Sequence, residues 1–291
     1  MVRLTHVESI LWDDWHVVAE VEQLRRSGRF VTTLLDVPLT LELDPESGSV
    51  LARAGDESLS SVRVQYGFVW ICLGEPARDM VEFPECGDAD RLLGTAGSVR
   101  VAVSGLRAVE NFLDLSHLSF VHSGFLGEEP LTEVQPYSVE SSPQGGVIAT
   151  GCRVYQPKAS PIAREGFDVN YTYAVLRPFI VVLYKANPVE QHRRDMIALF
   201  VQPVSEESCV AHLLTCYLTH GVEPAAVRRF QQFIFGQDRP ILENQLPKRL
   251  PLTAGREIPV RADLASAAYR RWLAEAGVRY GAIPAAAIPA T

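Results

Sequence analysis

From residue 146 to residue 219 the chain is built almost wholly of long strand-like runs, at 146–156, 167–187, 194–203 and 208–219. Val, Ile, Tyr and Thr recur through them, side chains that suit a pleated surface. Their apolar/polar alternation is imperfect, which predicts a curved sheet with one face covered. Three shorter runs precede them at 30–43, 61–74 and 97–105, with turn signals at Asp44-Pro45-Glu46-Ser47-Gly48 and Gly74-Glu75-Pro76. Two helices close the chain. One follows Gly221, has Pro224 in its first turn and runs to about Gln245; the other covers about 262–276. This order predicts an α+β fold, an antiparallel sheet with covering helices.

With 47% apolar and 21% charged residues over 291 positions, the chain can bury a large core. A balance of 27 basic against 35 acidic residues argues against a phosphate-binding surface, so no nucleic-acid partner is expected. No apolar run approaches the ~18 residues of a membrane span, and no membrane association is expected. The N-terminus carries Arg3, Glu8, Asp13 and Asp14 and has no leader-like apolar stretch. Cysteines 72, 86, 152, 209 and 216 are odd in number and scattered. They form no disulfide framework, which fits a cytoplasmic protein. The Ala/Pro-rich tail after Ile283 reads as frayed.

A helical segment at 107–122 interrupts the strands, and within it lies Glu110-Asn111-Phe112-Leu113-Asp114-Leu115-Ser116-His117-Leu118-Ser119-Phe120-Val121-His122. Two imidazoles, a carboxylate and an amide in an apolar setting must be paired or metal-bound. On an ideal helix, Asn111, Asp114, His117 and His122 share an arc of about 140°. His117 and His122 sit at opposite edges of that arc, so chelation of one ion needs a distortion or a helix end. The competing reading is two satisfied histidines at a helix–sheet boundary.

A third ligand has to come from elsewhere. In Phe233-Ile234-Phe235-Gly236-Gln237-Asp238-Arg239-Pro240-Ile241-Leu242, Asp238 shares the apolar helix face, where an acid needs a partner. A salt bridge, to Arg239 for instance, is the alternative. Pro240 should bend this helix near Asp238. Two histidines plus one carboxylate with open neighbouring positions is the facial triad of non-haem iron(II) oxygenases.

At this point the sequence resembles the catalytic subunit of a Rieske-type non-haem iron oxygenase, of the branch that removes methyl groups from nitrogen or oxygen. The 110–122 run fits that family's Asn-x2-Asp-x2-His-x4-His pattern. The segment Gln237–Gln245 resembles the one that holds the third ligand. Ala268-Tyr269-Arg270-Arg271-Trp272-Leu273 resembles the C-terminal helix, and Tyr66-Gly67-Phe68-Val69-Trp70 with Gly74-Glu75-Pro76 the strand leaving the Rieske domain. The resemblance implies a helix-grip (START-like) catalytic domain over 97–291, preceded by a β-rich segment, 1–96. It implies that His117, His122 and Asp238 bind mononuclear Fe(II), with O2 as co-substrate. Asp114 would receive electrons from a neighbouring Rieske histidine, and Asn111 would stand beside the iron.

One departure is large. A Rieske centre needs Cys-x-His and Cys-x2-His, and the link before Tyr66 contains neither Cys nor His. Cys209-Val210-Ala211-His212 is the sole Cys-x2-His, and strand alternation places its ends on opposite sides. The 1–96 segment thus resembles a Rieske-domain remnant, and no [2Fe–2S] cluster is expected in this chain. The likeness extends to bacterial methylxanthine N-demethylase complexes, in which one oxygenase subunit borrows its cluster from the reductase. The resemblance therefore implies NAD(P)H-driven N-demethylation of a small aromatic or heterocyclic substrate, served by a separate Rieske or ferredoxin-type reductase. It also implies a homo- or hetero-oligomer, trimeric or hexameric. Two other readings stay open: a non-catalytic structural paralogue, or a helix-grip module carrying an apolar ligand.

Overall fold

The computed structural model describes residues 3–143, 145–219, 221–253 and 255–284. His220 and the tail beyond 284 lie outside these. The expected strand runs resolve into one seven-stranded antiparallel sheet. Its spatial order is Arg91–Val101, Ser208–Leu218, Arg194–Ser205, Ile180–Ala186, Phe167–Arg177, Val147–Gln156 and Ser138–Ser141. The run 167–187 is a hairpin that turns at Pro178-Phe179.

One expectation changes. The sheet is covered on both faces. Tyr171, Tyr173, Leu183, Ile197 and Leu213 point towards the helices. On the other side Ile180, Val182, Met196, Ala198, Phe200 and Leu214 pack against Trp15, Val17, Phe68 and Trp70. Trp70 meets Phe200 edge-on at 4.8 Å. Double burial explains the lost alternation, because a strand covered on both faces has no solvent side to mark. In Arg194–Ser205 every residue but the two ends is buried.

The covering layer comes from the N-terminal third. It forms a three-stranded sheet (His16–Glu20, Phe68–Ile71, Val62–Gln65) and a four-stranded one (Arg29–Leu34, Val37–Leu43, Val50–Ala54, Glu57–Ser58). The first hairpin of the larger sheet turns through Leu35 and Asp36, both with positive φ. Two such residues in a row make the tight turn whose twist suits paired strands.

The helices Gly105–Leu113, Pro224–Asn244 and Leu264–Glu275 lie over the face that carries Tyr171 and Tyr173. The long middle one continues through Pro240. Arg107, fully buried, joins Glu110 at 3.0 Å and Glu257 at 3.1 Å. Arg270 closes the network onto Glu110 and Glu257, both at 2.5 Å. Tyr269 donates to the Pro178 carbonyl at 2.7 Å. The Tyr269-Arg270 pair thus pins the C-terminal helix to both the first helix and the sheet. Among the described residues no helix is long and apolar enough to cross a membrane.

Candidate metal centre

The first helix is opened by Ser104, whose Oγ accepts from the Leu106 amide at 3.2 Å. It does not run to residue 122. It stops at Leu113, and Asp114 is extended (φ −76, ψ 125). There Oδ1 of Asp114 accepts the Ser116 amide at 2.8 Å and the Ser116 hydroxyl at 2.6 Å. An aspartate that bonds the chain two residues ahead offers the backbone an alternative to the helix. One more helical turn follows, Leu118–Val121, with His117 and His122 at its two ends. The single polar helix face is therefore replaced by two short helices around a turn, and this break lets the imidazoles converge.

His117 Nε2 lies 3.3 Å and His122 Nε2 3.0 Å from Oδ1 of Asp238 on the long helix. The three candidate ligand atoms all fall within 4.8 Å of one another. The other ring nitrogens are already engaged. His117 Nδ1 faces Oδ2 of Asp114 at 3.3 Å, and His122 Nδ1 faces Oε1 of Gln237 at 2.9 Å. Both acceptors require the proton on Nδ1, which leaves each Nε2 with a lone pair. Oδ1 of Asp238 is buried and receives no hydrogen bond, despite its two close nitrogens. With both rings neutral, three lone-pair atoms face one point; in the metal-free site a proton on His117 Nε2 stands in for a cation there. A cation at that point relieves the arrangement, and ligands about 2.1 Å from one ion at right angles stand about 3 Å apart. The residues fit the iron that this donor set selects. Arg239 is not the partner of Asp238, because its Nε donates to Glu243 at 3.0 Å.

Electrostatics agree. Burial disfavours the charged form of Asp238, but the two imidazoles outweigh it and hold the carboxyl below its usual range. Asp114 is lowered too, with burial overcome by His117 and Ser116. Burial likewise opposes charge on His117, yet Asp114 and Asp238 raise its pKa to about 9 in the metal-free site.

The centre stands between two openings. On the inner side lies an apolar cavity of about 70 Å³, and Asn111, Phe112, His117, His122 and Asp238 form part of its wall. On the outer side a broad groove is lined by Asn111, Asp114 and His117, with Arg270, Ile258 and Glu257 further along. Asn111 and His117 therefore reach both sides, and Asp114 only the outer one. Gln237, which orients His122, escaped the sequence reading; its one signal was a second polar side chain beside a buried acid. Lys185, Tyr171 and Gln231 of the inner cavity also escaped it, although a lysine inside Ile180–Ala186 was visible as an oddity.

Two other histidines are committed elsewhere. His16 Nε2 meets the Leu11 carbonyl at 2.7 Å. His212 lies between Ser98 Oγ (2.7 Å) and Gln202 Oε1 (3.1 Å), which removes Cys209–His212 as a cluster site.

Comparison with known proteins follows the same line. The model of the vanillate O-demethylase oxygenase C-terminal domain matches residues 102–279. A probable methylxanthine N7-demethylase, NdmC of Pseudomonas sp. (strain TJI-51), is 44% identical over 95% of this chain and 98% of its own length. The methylxanthine N1-demethylase NdmA of Pseudomonas putida is 24% identical over 72% of this chain, and the match spans 58% of NdmA. In structure, NdmA of Pseudomonas putida CBB5 aligns with 91% of this chain and 90% of its own, at a TM-score of 0.72 and 18% identity. Apo dicamba monooxygenase aligns with 91% and 96% at a TM-score of 0.59 and 14% identity. These likenesses establish the shared fold. With a family model across most of the chain and a relative similar along nearly all of it, the chain belongs to the vanillate O-demethylase oxygenase family of Rieske-type non-haem iron oxygenases, as an oxidoreductase subunit whose own sequence carries no Rieske motif.

Proposed function

We propose that this chain is the oxygenase subunit of a methylxanthine N-demethylase that takes its electrons from a separate Rieske-bearing reductase. The observation that carries the reading is the convergence of His117 Nε2, His122 Nε2 and Asp238 Oδ1 at the wall of an apolar cavity. Fe(II) held by these three residues would supply the activation of O2 needed to hydroxylate an N-methyl carbon. The balance is N–CH3 with O2, NAD(P)H and a proton, giving N–H, formaldehyde, water and NAD(P)+.

The chain's own residues do the rest. Asp114 and Gln237 fix the tautomer and the aim of the two imidazoles. Phe112, Leu118, Tyr173 and Ile234 make the inner wall apolar and keep water from the methyl group. Asp114 lies on the outer groove, where a cluster histidine of the reductase would meet it. That groove is flanked by exposed Ile241, Leu246 and Ile258, apolar surface that a partner would cover. Residues 1–96 act as a Rieske-domain remnant that shields the back of the sheet, and 97–291 as the catalytic domain. The favoured substrate carries its methyl on N7, following the 44% identical relative. A cytoplasmic hetero-oligomer with reductase and a second oxygenase subunit suits the borrowed electrons.

The test is anaerobic iron reconstitution followed by turnover with and without a Rieske reductase. One iron per chain and reductase-dependent formaldehyde release are the expected results. Failure to retain iron, or iron retained equally by Asp238→Ala, overturns the reading.

A further inference from the structure

Across the inner cavity from the metal centre lies a cation that the proposed chemistry does not use. Lys185 is 2% exposed and sits among Leu183, Ile197 and Leu213 on the cavity wall. Burying an ammonium is unfavourable unless its protons are met. One of its three protons goes to the Ala159 carbonyl. Asp195 is its cross-strand neighbour, but that carboxylate is occupied by both contacts from Asn187 Nδ2 and by the Leu218 amide. Among the described residues no carboxylate stands within ion-pair reach of Lys185. Burial lowers the Lys185 pKa to about 8, with Asp195 opposing it, so the side chain is largely cationic at neutral pH.

Directly opposite Lys185 on the neighbouring strand is Tyr171, which lines the same cavity. Its oxygen accepts from Nε2 of Gln156. A phenol that accepts there keeps its own proton for another partner. Burial raises its pKa far above neutrality, so that proton is retained. The Cβ atoms of facing residues on adjacent strands stand about 5 Å apart, so both side chains enter the cavity from neighbouring positions. Beyond the candidate metal ligands, Asn111 and Gln231, the cavity therefore presents two neighbouring residues, Lys185 and Tyr171, with donor protons to spare.

We propose that Lys185 and Tyr171 form a donor pair that binds an exocyclic ring carbonyl oxygen of the substrate and so selects oxo-heterocycles. The assignment rests on the oxygenase reading above and deepens it. A methylated oxopurine supplies that oxygen at the edge of a flat apolar ring. Holding the ring by this oxygen also fixes which methyl group is presented to His117, His122 and Asp238.

The experiment measures equilibrium binding to the iron-loaded chain, kept anaerobic, by wild type, Lys185→Met and Tyr171→Phe. Met removes a buried charge with little change in volume, and melting curves confirm that each variant folds. The ligands are 7-methylxanthine and its two mono-oxo analogues, lacking the carbonyl at C2 or at C6. A charged hydrogen bond lost from a dry site weakens binding by about 10–100-fold, the result expected for Lys185→Met with 7-methylxanthine. Tyr171→Phe should weaken it by about 3–10-fold. For one mono-oxo analogue, the Lys185→Met effect should shrink to under about twofold, since the recognised oxygen is gone. Wild type should itself bind that analogue about 10–100-fold more weakly than 7-methylxanthine, an arm that needs no variant; equal wild-type affinity for all three ligands overturns the assignment.

Equal affinity in wild type and Lys185→Met, or the same loss for all three ligands, overturns the assignment and leaves the N-demethylase reading standing. If wild type ignores methylxanthines but binds another carbonyl-bearing aromatic with the same Lys185 dependence, the methylxanthine reading fails and the donor pair stands. Binding of no carbonyl-bearing aromatic overturns both.

Discussion

Histidines sit on opposite sides of the sheet, His212 on one and His117 with His122 on the other, and their contrast shows what separates a candidate ligand from a structural residue. His212 is saturated. Its Nδ1 pairs with the Ser98 hydroxyl at 2.7 Å and its Nε2 with Oε1 of Gln202, whose amide nitrogen Thr32 and Thr33 hold in place. Each ring nitrogen has the partner it needs, so the residue fastens the N-terminal layer to the sheet. His117 and His122 are saturated at Nδ1 alone. Their Nε2 atoms converge instead on a third candidate ligand atom, Oδ1 of Asp238. Burial is common to both clusters; the donor balance is what differs.

The largest effect should follow from removing one corner of that convergence. Asp238→Ala or His122→Ala is expected to bring iron from one per chain to background after anaerobic reconstitution, measured by metal analysis. His212→Gln should keep the iron, and an equal loss there would erase the distinction between the clusters. Next comes Asp114→Asn, which leaves the three ligand atoms in place. At saturating iron it should retain the metal, while reductase-driven formaldehyde release falls by about 100-fold or more, because Asp114 fronts the outer groove. Full turnover by Asp114→Asn would remove its proposed part in electron entry.

Much of the candidate metal centre was legible because its residues break the apolar pattern around them. His117, His122 and Asp238 are each expensive to bury alone, so each demanded a partner on sight. Their meeting was harder to read, since helical periodicity puts the two histidines on opposite edges of an arc. What resolves it is the turn at Asp114 and Ser116, a short-range competition that periodicity does not register. The second covered sheet face was missed for a related reason. Near-continuous apolar runs in Arg194–Ser205 carry the mark of double burial, yet curvature disturbs alternation in a similar way. Lys185 and Gln237 depend on long-range packing, which spacing along the chain does not encode.

The two clusters should also respond to pH in opposite directions. Burial lowers the His212 pKa to about 4 against an ordinary 6.5, with Glu20 opposing. The unfolded chain binds the extra proton between those values, so the His212 contribution is complete above 6.5 and lost as pH falls towards 4. Iron-free His117 has its pKa raised to about 9. Its contribution is complete below 6.5 and lost as pH rises through 9. At about 1.4 kcal/mol per pH unit, each swing is roughly 3 kcal/mol. Urea unfolding of the iron-free chain across that range measures both. His212→Gln should flatten the acid limb and His117→Gln the alkaline one. An unchanged alkaline limb in His117→Gln would contradict the cationic metal-free site.

The smallest effects test the supporting shell of each cluster and sharpen the contrast most. Gln237 touches His122 from behind, so Gln237→Leu keeps all three ligands and frees one ring to turn. Losing such a support commonly weakens metal affinity by about 10–100-fold, and a chelator competition reads that directly. Ser98 holds His212 in the equivalent way, so Ser98→Ala should lower unfolding stability by about 1–3 kcal/mol and leave iron affinity unchanged. The crossed result is the informative one: Gln237→Leu must move the metal more than the fold, and Ser98→Ala the fold alone. If both variants change only stability, the aim of His122 is set by packing, and the open lone pairs at the centre need no hydrogen-bonded partner behind them.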